Sequence, residues 1–444
     1  MKNLTIRKID SGVLFSGLNQ FWKLISGLVT IVLIPLFLTK ETQGYWFTIM
    51  SLAALVMLAD LGFSSIITQF AAHEFAFLRL DDREITGSEE HLNRLATFFI
   101  FSTKWAFGIL LIAFPIISLV GFIVLSEKTG TVNWALPWFV YLIGAGLTFF
   151  NNSLLCFFEG CNLVGPIQRI RVIISIITFF IMWLGLVLNL SLHALSISLL
   201  LSALTGLYII WRGFGRHIRA FWDISKRYAY SWKEKFFTLQ WRYAISWASG
   251  YFIFQMYTPI MFHFYGPVEA GKVGLSITLW MAVFSISNSW IYAIVPRLNI
   301  HISKKRWKEL DVLFYKHLLY ASTTFLLGAL TVFVVIAVFR GRLEILTRLA
   351  DNTTLIFLGS AWFLQIIVNA LAVYLRSHKK EPLVIPSFVS AIYIVIGTIA
   401  CAKYLPAEYF FLGYLSSYVW GLPWVLYIFI KNKKEWHSME YQIG

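Results

Sequence analysis

The sequence predicts an all-α, polytopic membrane protein with about twelve transmembrane helices. Three observations lead there. First, 58% of the 444 residues are hydrophobic and only 13% are charged, where a soluble domain carries about 25% charged residues. So few charges cannot cover a water-facing globule, and most of the surface must face lipid. Second, apolar runs of about 20 residues, long enough to cross a bilayer, recur along the whole chain. Third, the basic residues partition between alternate connections. The 40 Phe, 20 Tyr and 18 Trp fit the same class, since Trp and Tyr settle at membrane interfaces.

The apolar runs fall at 12–38, 44–70, 96–125, 134–158, 168–189, 193–211, 240–265, 271–296, 314–339, 354–375, 383–403 and 409–430. The first is too long for the apolar core of a signal peptide and reads as a span. The fifth and sixth are parted only by Asn189, Ser191 and His193.

The positive-inside rule tests the count independently. With the N-terminus in the cytoplasm, 28 of the 37 Lys and Arg fall in cytoplasmic segments and 7 on the opposite side, with Lys23 and Lys104 inside spans. A miscounted helix in mid-chain would mix the two sets. Both termini are therefore expected in the cytoplasm, with the chain in a bacterial inner membrane. The net charge of +15 then belongs to loops lying against an anionic leaflet, and no nucleic-acid partner is expected. The longest such connection, 212–235, is rich in Arg, Lys, Trp and Tyr and reads as an amphipathic, interfacial connector.

Internal symmetry divides the chain. Trp22-Lys23 resembles Trp241-Arg242, an offset of 219, and Glu159-Gly160 through Pro166 resembles Arg376-Ser377 through Pro382, an offset near 217. Two six-helix halves of like orientation follow, 1–211 and 240–444, joined by a basic connector at 212–239. Parallel repeats of this kind are a transporter architecture, with the substrate path between the halves.

Ionisable side chains at mid-bilayer are costly and are functional candidates for that reason. Lys23, Asp60 and Lys104 each lie roughly 14–18 Å from the cytoplasmic end of their spans at the helical rise per residue, so three helices place charge in one slab. In the first span, Ser16, Asn19, Lys23, Ser26 and Thr30 recur at helical spacing as one polar stripe, which must face protein or water. Asp60 and Ser64 stand one turn apart. Two readings stay open for each charge. Lys23 and Lys104 either line a lumen or snorkel to the headgroups; Asp60 is either a structural ion-pair partner of one of them or a coupling residue. Arg242 stands nearer the interface, where plain topology duty is the alternative. Glu74, His73 and Glu159 read as solvated groups at cytoplasmic helix ends. Asn152, Gln255, Asn288, Gln365 and Asn369 are intramembrane amides that either join helices or touch substrate.

No Gly-x-x-x-x-Gly-Lys run supplies an ATPase, and no His, Cys and carboxylate cluster has metal spacing. The three cysteines, Cys156, Cys161 and Cys401, are too few for a disulfide framework. No catalytic residue, cofactor or metal is expected. A carrier needs no bond chemistry, and the short outer loops leave little room for a transferase.

Particular motifs resemble a known family. Gly44-Tyr45-Trp46, Ala59-Asp60-Leu61-Gly62-Phe63 and Phe70-Ala71-Ala72-His73-Glu74 resemble the second-span signature of bacterial polysaccharide-export and O-antigen flippases (the Wzx type). The acidic stretch from Asp81-Asp82 to Glu89-Glu90-His91-Leu92, then Lys104-Trp105, and Val295-Pro296-Arg297 at the end of span eight, are similar to the same family. The match covers the first third well and the rest by topology.

The resemblance implies the fold of the multidrug/oligosaccharidyl-lipid/polysaccharide superfamily, two six-helix bundles around a central cavity. It also implies a substrate, an undecaprenyl-diphosphate-linked oligosaccharide repeat unit moved from the cytoplasmic to the periplasmic leaflet. Membrane lipids, a polysaccharide polymerase and a chain-length regulator would be its partners. For such a substrate Lys23, Lys104 and Arg242 are the cations available to the diphosphate, Asp60 the ion-pair or coupling residue, and Asn19, Ser26, Thr30, Ser64 and Asn152 the polar lining. The alternatives are a multidrug or organic-cation extruder of the same fold, which would favour acidic lumen residues, and a membrane-embedded polymerase or glycosyltransferase.

Overall fold

A computed structural model describes residues 11–80, 85–128, 130–378 and 380–438. The acidic pair Asp81-Asp82 lies outside the described residues, as does the side chain of Arg242. The described chain is almost wholly helical, and it is a polytopic all-α membrane protein. Its helices begin with α1 (Ser11–Phe37), α2 (Lys40–Ala53), α3 (Val56–Asp60), α4 (Phe63–Phe75), α5 (Glu89–Ser126), α6 (Ala135–Gly160), α7 (Val164–Val187) and α8 (Leu192–Arg227). They continue with α9 (Lys233–Phe254), α10 (Tyr257–Tyr265), α11 (Pro267–Ser303), α12 (Trp307–Phe339), α13 (Glu344–Thr347), α14 (Asn352–Ser377), α15 (Val384–Tyr404) and α16 (Leu412–Ser438).

Among the described residues, eleven helical segments are long and apolar enough to cross a membrane. They correspond to eleven of the twelve expected runs. The remaining run, 240–265, folds as two helices, α9 and α10, that meet at Gln255–Met256. Two other expectations change. The connector expected after residue 211 is mostly helix, because α8 continues to Arg227. Phe214, Ile218, Phe221 and Ile224 recur at helical spacing there, and Phe214 stacks on Phe158 at 4.3 Å while Phe221 meets Phe99 at 5.4 Å. The connection between spans two and three carries a short hairpin, β1 (Leu78–Leu80) and β2 (Ile85–Gly87), antiparallel with Leu78 opposite Gly87.

By its packing the chain divides into two compact units, 1–38 with 52–248, and 39–51 with 249–444. The expected connector, 212–239, thus lies within the first unit, and most of α2 goes with the second.

In the first unit α1 lies along α7, with Trp22 and Trp183 in ring contact at 6.0 Å and Trp183 Nε1 donating to Thr30 Oγ1 at 3.0 Å. An aromatic core joins α4, α5, α6, α8 and the start of α9; Phe98 meets Trp232 at 4.9 Å and Phe99 meets Phe157 at 4.9 Å. Lipid tails are as apolar as these rings, so close van der Waals packing, not water exclusion, holds such helices together. Gly160 shows how close: a Cβ there would stand 2.6 Å from the Thr68 carbonyl oxygen of α4. In the second unit the same device seats α2, since a Cβ on Gly44 would collide with the backbone of Pro267. Gln43, buried, donates through Nε2 to the Gly271 carbonyl at 2.9 Å. Trp280 of α11 stacks on Phe325 of α12 at 5.6 Å, and Phe314 meets Tyr374 of α14 at 4.9 Å.

Candidate functional site

The second span breaks where its signature motif lies. Leu61 and Gly62 adopt positive φ (44° and 77°), a conformation costly for a branched residue such as leucine and free for glycine. The break ends α3 at Asp60 and restarts the chain as α4. A restarted helix presents N–H groups without helical partners, and Asp60 supplies one. Its Oδ1 accepts from the Ser64 backbone N–H at 3.2 Å and from the Ser64 hydroxyl at 2.7 Å. A carboxylate at a helix N-terminus is also favoured by the helix dipole.

From Ser64 a polar chain crosses two further helices. Asn152 of α6 donates through Nδ2 to Ser64 Oγ at 3.0 Å. Its Oδ1 accepts from Arg171 Nη1 of α7 at 2.8 Å. Arg171 Nη2 in turn reaches Glu159 Oε2 at 3.2 Å and Cys156 Sγ at 3.6 Å. Glu159 Oε1 accepts from Gln168 at 2.9 Å. Two carboxylates, Asp60 and Glu159, are thereby linked through one serine, one asparagine and one arginine. Arg171 keeps a further donor, Nε, buried and without a hydrogen-bond partner. Lys23 of α1 is exposed and within electrostatic reach of Arg171.

Of the expected site residues, the structure brings together Asp60, Ser64 and Asn152, with Lys23 within electrostatic reach of their arginine. Among the described residues, no ion pair joins Asp60 to Lys23 or Lys104; its partner is Ser64. Lys104, on α5, is exposed and enters no ion pair there. The stripe on α1 divides by depth. Asn19 and Ser26 are buried in the first unit, and Thr30 bonds to Trp183 and to the Ser26 carbonyl at 2.7 Å. Arg242 lies in α9, and its side chain is outside the described residues.

Two groups expected to be solvated are not. Glu159 is paired with Arg171, both side chains mostly covered. Glu74 is buried and meets His91 Nδ1 at 2.8 Å, while His91 stacks on Phe77 at 4.0 Å. The reason is the same in both cases: the next long helix supplies a partner for the carboxylate, His91 at the start of α5 and Arg171 near the start of α7. Arg171 and Glu159 are the functional candidates that sequence reasoning missed. Glu159 reads from sequence as a solvated helix end, and Arg171, at the start of the fifth run, counts among the cytoplasmic charges. The available signal was Gln168 and Arg171, three residues apart on one face of an otherwise apolar helix, twelve residues after a glutamate.

The arrangement holds charge in a low-dielectric setting, where each pair interaction is stronger than in water. A guanidinium with a fixed carboxylate, an amide and an open donor is suited to exchange one anionic partner for another.

No family model matches the chain, and no curated protein does. Solved structures do. An inward-closed lipid II flippase, MurJ, superposes with a TM-score of 0.63 at 13% identity, covering 96% of this chain and 90% of that one. An inward-facing multidrug-resistance MATE transporter of the MOP superfamily gives 0.59 at 14% identity, covering 95% and 100%. A mutant form of the Vibrio cholerae MATE transporter VcmN gives 0.57 at 12%, covering 98% and 100%. The chain therefore shares the fold of these membrane transporters over nearly its whole length.

Proposed function

We propose that the protein is a flippase for a lipid-linked glycan, an undecaprenyl-diphosphate oligosaccharide carried from the cytoplasmic to the periplasmic leaflet of the inner membrane. The observation that carries this reading is the pair of cations in the first unit. Lys23 is exposed with no ion pair among the described residues, and Arg171, within electrostatic reach of it, has an open donor. A diphosphate offers several anionic oxygens and matches a guanidinium in geometry. The shared fold with a lipid II flippase supports the substrate class.

In this mechanism the diphosphate engages Lys23 and competes with Glu159 for Arg171. Release of that guanidinium frees Asn152, and through Ser64 it frees Asp60 at the break between α3 and α4. A ligand shifts a conformational equilibrium only through such a difference in contacts between states. The cations thus select the substrate, and the broken helix responds. Nothing in this cycle makes or breaks a covalent bond.

A second reading, a multidrug or organic-cation extruder, is favoured by the MATE neighbours and by the two carboxylates of the network. One strain set separates them. Deleting the gene should abolish a surface polysaccharide while lipid-linked repeat units accumulate inside, with unchanged resistance to cationic dyes. Normal surface glycan with heightened dye sensitivity would replace the flippase reading with the extruder.

A further inference from the structure

The second unit carries a basic cavity that the transport reading does not use. Where α11 turns into α12, Arg297 and His301 of α11 face Lys308, Lys316 and His317 of α12 around a space of ≈ 550 Å³. Glu309 is the one carboxylate on its wall. Some cations of this unit have neighbours of opposite charge: Lys433 meets Asp311 at 2.8 Å, and Arg376 meets Glu381 at 2.7 Å. Among the described residues, Arg297, Lys308 and Lys316 enter no ion pair. His301 Nδ1 is buried without a hydrogen-bond partner, while His317 spends its Nδ1 on the Leu313 carbonyl at 2.8 Å. Three cations and two imidazoles thus converge on one cavity with a single opposing charge.

What lies next to the cavity identifies the ligand. On α12, Lys308, Val312, Lys316 and Tyr320 follow one another at four-residue spacing, and the stripe runs on through Leu319, Leu326, Leu327, Leu330 and Val334. These apolar side chains are exposed, and on a membrane helix that surface belongs to lipid. Tyr320 stands at the junction, in ring contact with the exposed Trp290 at 5.4 Å, and Trp290 donates to Thr324 at 3.0 Å. Aromatic residues with a polar tip mark the headgroup level of a bilayer. The cavity therefore opens at headgroup depth, with an apolar track leading from it along the same helix.

We infer that this cavity between α11 and α12 binds the headgroup of an anionic phospholipid, whose acyl chains lie along the apolar stripe of α12. A basic pocket between transmembrane helices is a known way of holding such headgroups. A free phosphate would use the cations and leave the track without a role. The inference stands apart from the identity of the transported substrate, because none of these residues belongs to the network of the first unit.

The test uses the full-length protein, purified in detergent and stripped of lipid. Phosphatidylglycerol and phosphatidylcholine are titrated against wild type and two triple variants, each losing three positive charges. One is Arg297→Gln/Lys308→Gln/Lys316→Gln; the control is Arg212→Gln/Arg216→Gln/Arg227→Gln on α8. Phosphatidylglycerol binding should weaken by about tenfold or more in the cavity variant and change little in the control. Phosphatidylcholine should not distinguish them, and inorganic phosphate should not displace the lipid. Equal weakening in both variants would mean diffuse attraction, and displacement by phosphate alone would mean a free-anion site; either overturns the inference. A photoreactive phosphatidylglycerol on the wild-type chain guards against a variant that fails to fold. Its crosslinks should map to 290–334, and crosslinks only elsewhere would end the proposal.

Discussion

The two units solve the same packing problem with different chemistry. In the first, Asn152 of α6 reaches Ser64 of α4 at 3.0 Å. In the second, Asn369 of α14 reaches Asn288 of α11, also at 3.0 Å. The two asparagines are 217 residues apart, the offset at which the turns after Glu159 and Arg376 resemble one another. An amide that ties one helix to another is thus common to both units. What differs is everything attached to it. The first unit continues through Arg171 to a carboxylate and through Ser64 to Asp60. In the second, the residue at the offset of Glu159 is Arg376, paired within its own turn to Glu381 at 2.7 Å. At the offset of Arg171 stands Phe388, exposed and apolar, so among the described residues no charge reaches the joining amide. The helices that receive the two amides differ too. α4 follows a break at Leu61–Gly62, whereas α11 runs unbroken for 37 residues. The joining amide is met by charge in one unit and by a second amide in the other, so the charge at that place is the part that packing does not require.

The largest expected effect lies at the centre of that charge. Arg171→Met removes the guanidinium, keeps the apolar stem and leaves Glu159 without its counter-charge. Removing one partner of a buried ion pair costs about 3–5 kcal/mol, and this pair, partly covered, should stand below that range. The variant should lower the melting temperature and abolish transport. Arg171→Lys keeps the charge but not the fork that serves Asn152 and Glu159 together, so it should recover stability more than activity. Transport by Arg171→Met at wild-type rate in proteoliposomes would reduce the charged network to a structural tie.

Asp60→Asn comes next and asks whether the break in the second span needs a charge. The amide oxygen can still accept from Ser64, so most of the cap survives, and the loss of cap stability should be under about 1 kcal/mol. A well-expressed protein that fails to restore surface glycan in a flippase-null strain would assign the carboxylate a part in the cycle. Full complementation would leave Asp60 as a helix cap alone.

How much of this was legible depends on what each residue signals locally. The spans were readable because lipid demands long apolar runs. The turn at Asn189–Ser191 was readable too, since both residues adopt positive φ and asparagine tolerates it. Asp60, Ser64 and Asn152 were singled out because polar groups in lipid need partners, and they prove to be one another's neighbours. Arg171 was not, because a cation near a helix start serves as a topology signal whether or not it is paired. Its partner, Glu159, lies across a turn whose geometry the sequence does not spell out. The extension of α8 was hidden by its charges, although Phe214, Ile218, Phe221 and Ile224 kept the helical period. The joining amides were left with two roles, and in Asn288 and Asn369 the structure shows the helix-joining one.

The smallest expected effect is in the second unit, and it sharpens the contrast from the other side. Asn369→Ala removes one amide bond to Asn288 and introduces no unpaired charge. Interhelical hydrogen bonds in membrane proteins average about 0.6 kcal/mol in double-mutant cycles, so unfolding in mixed micelles should shift by about that much. Because Asn288 loses its partner, Asn288→Ala should cost a similar amount, and the double variant should cost less than the two singles together. Transport should stay near wild type in all three, since no charge in this unit depends on the pair. A transport loss in Asn369→Ala as deep as that in Arg171→Met would remove the distinction between the units. The amide contact shared by both would then be the working element, and the charges of the first unit its local reinforcement.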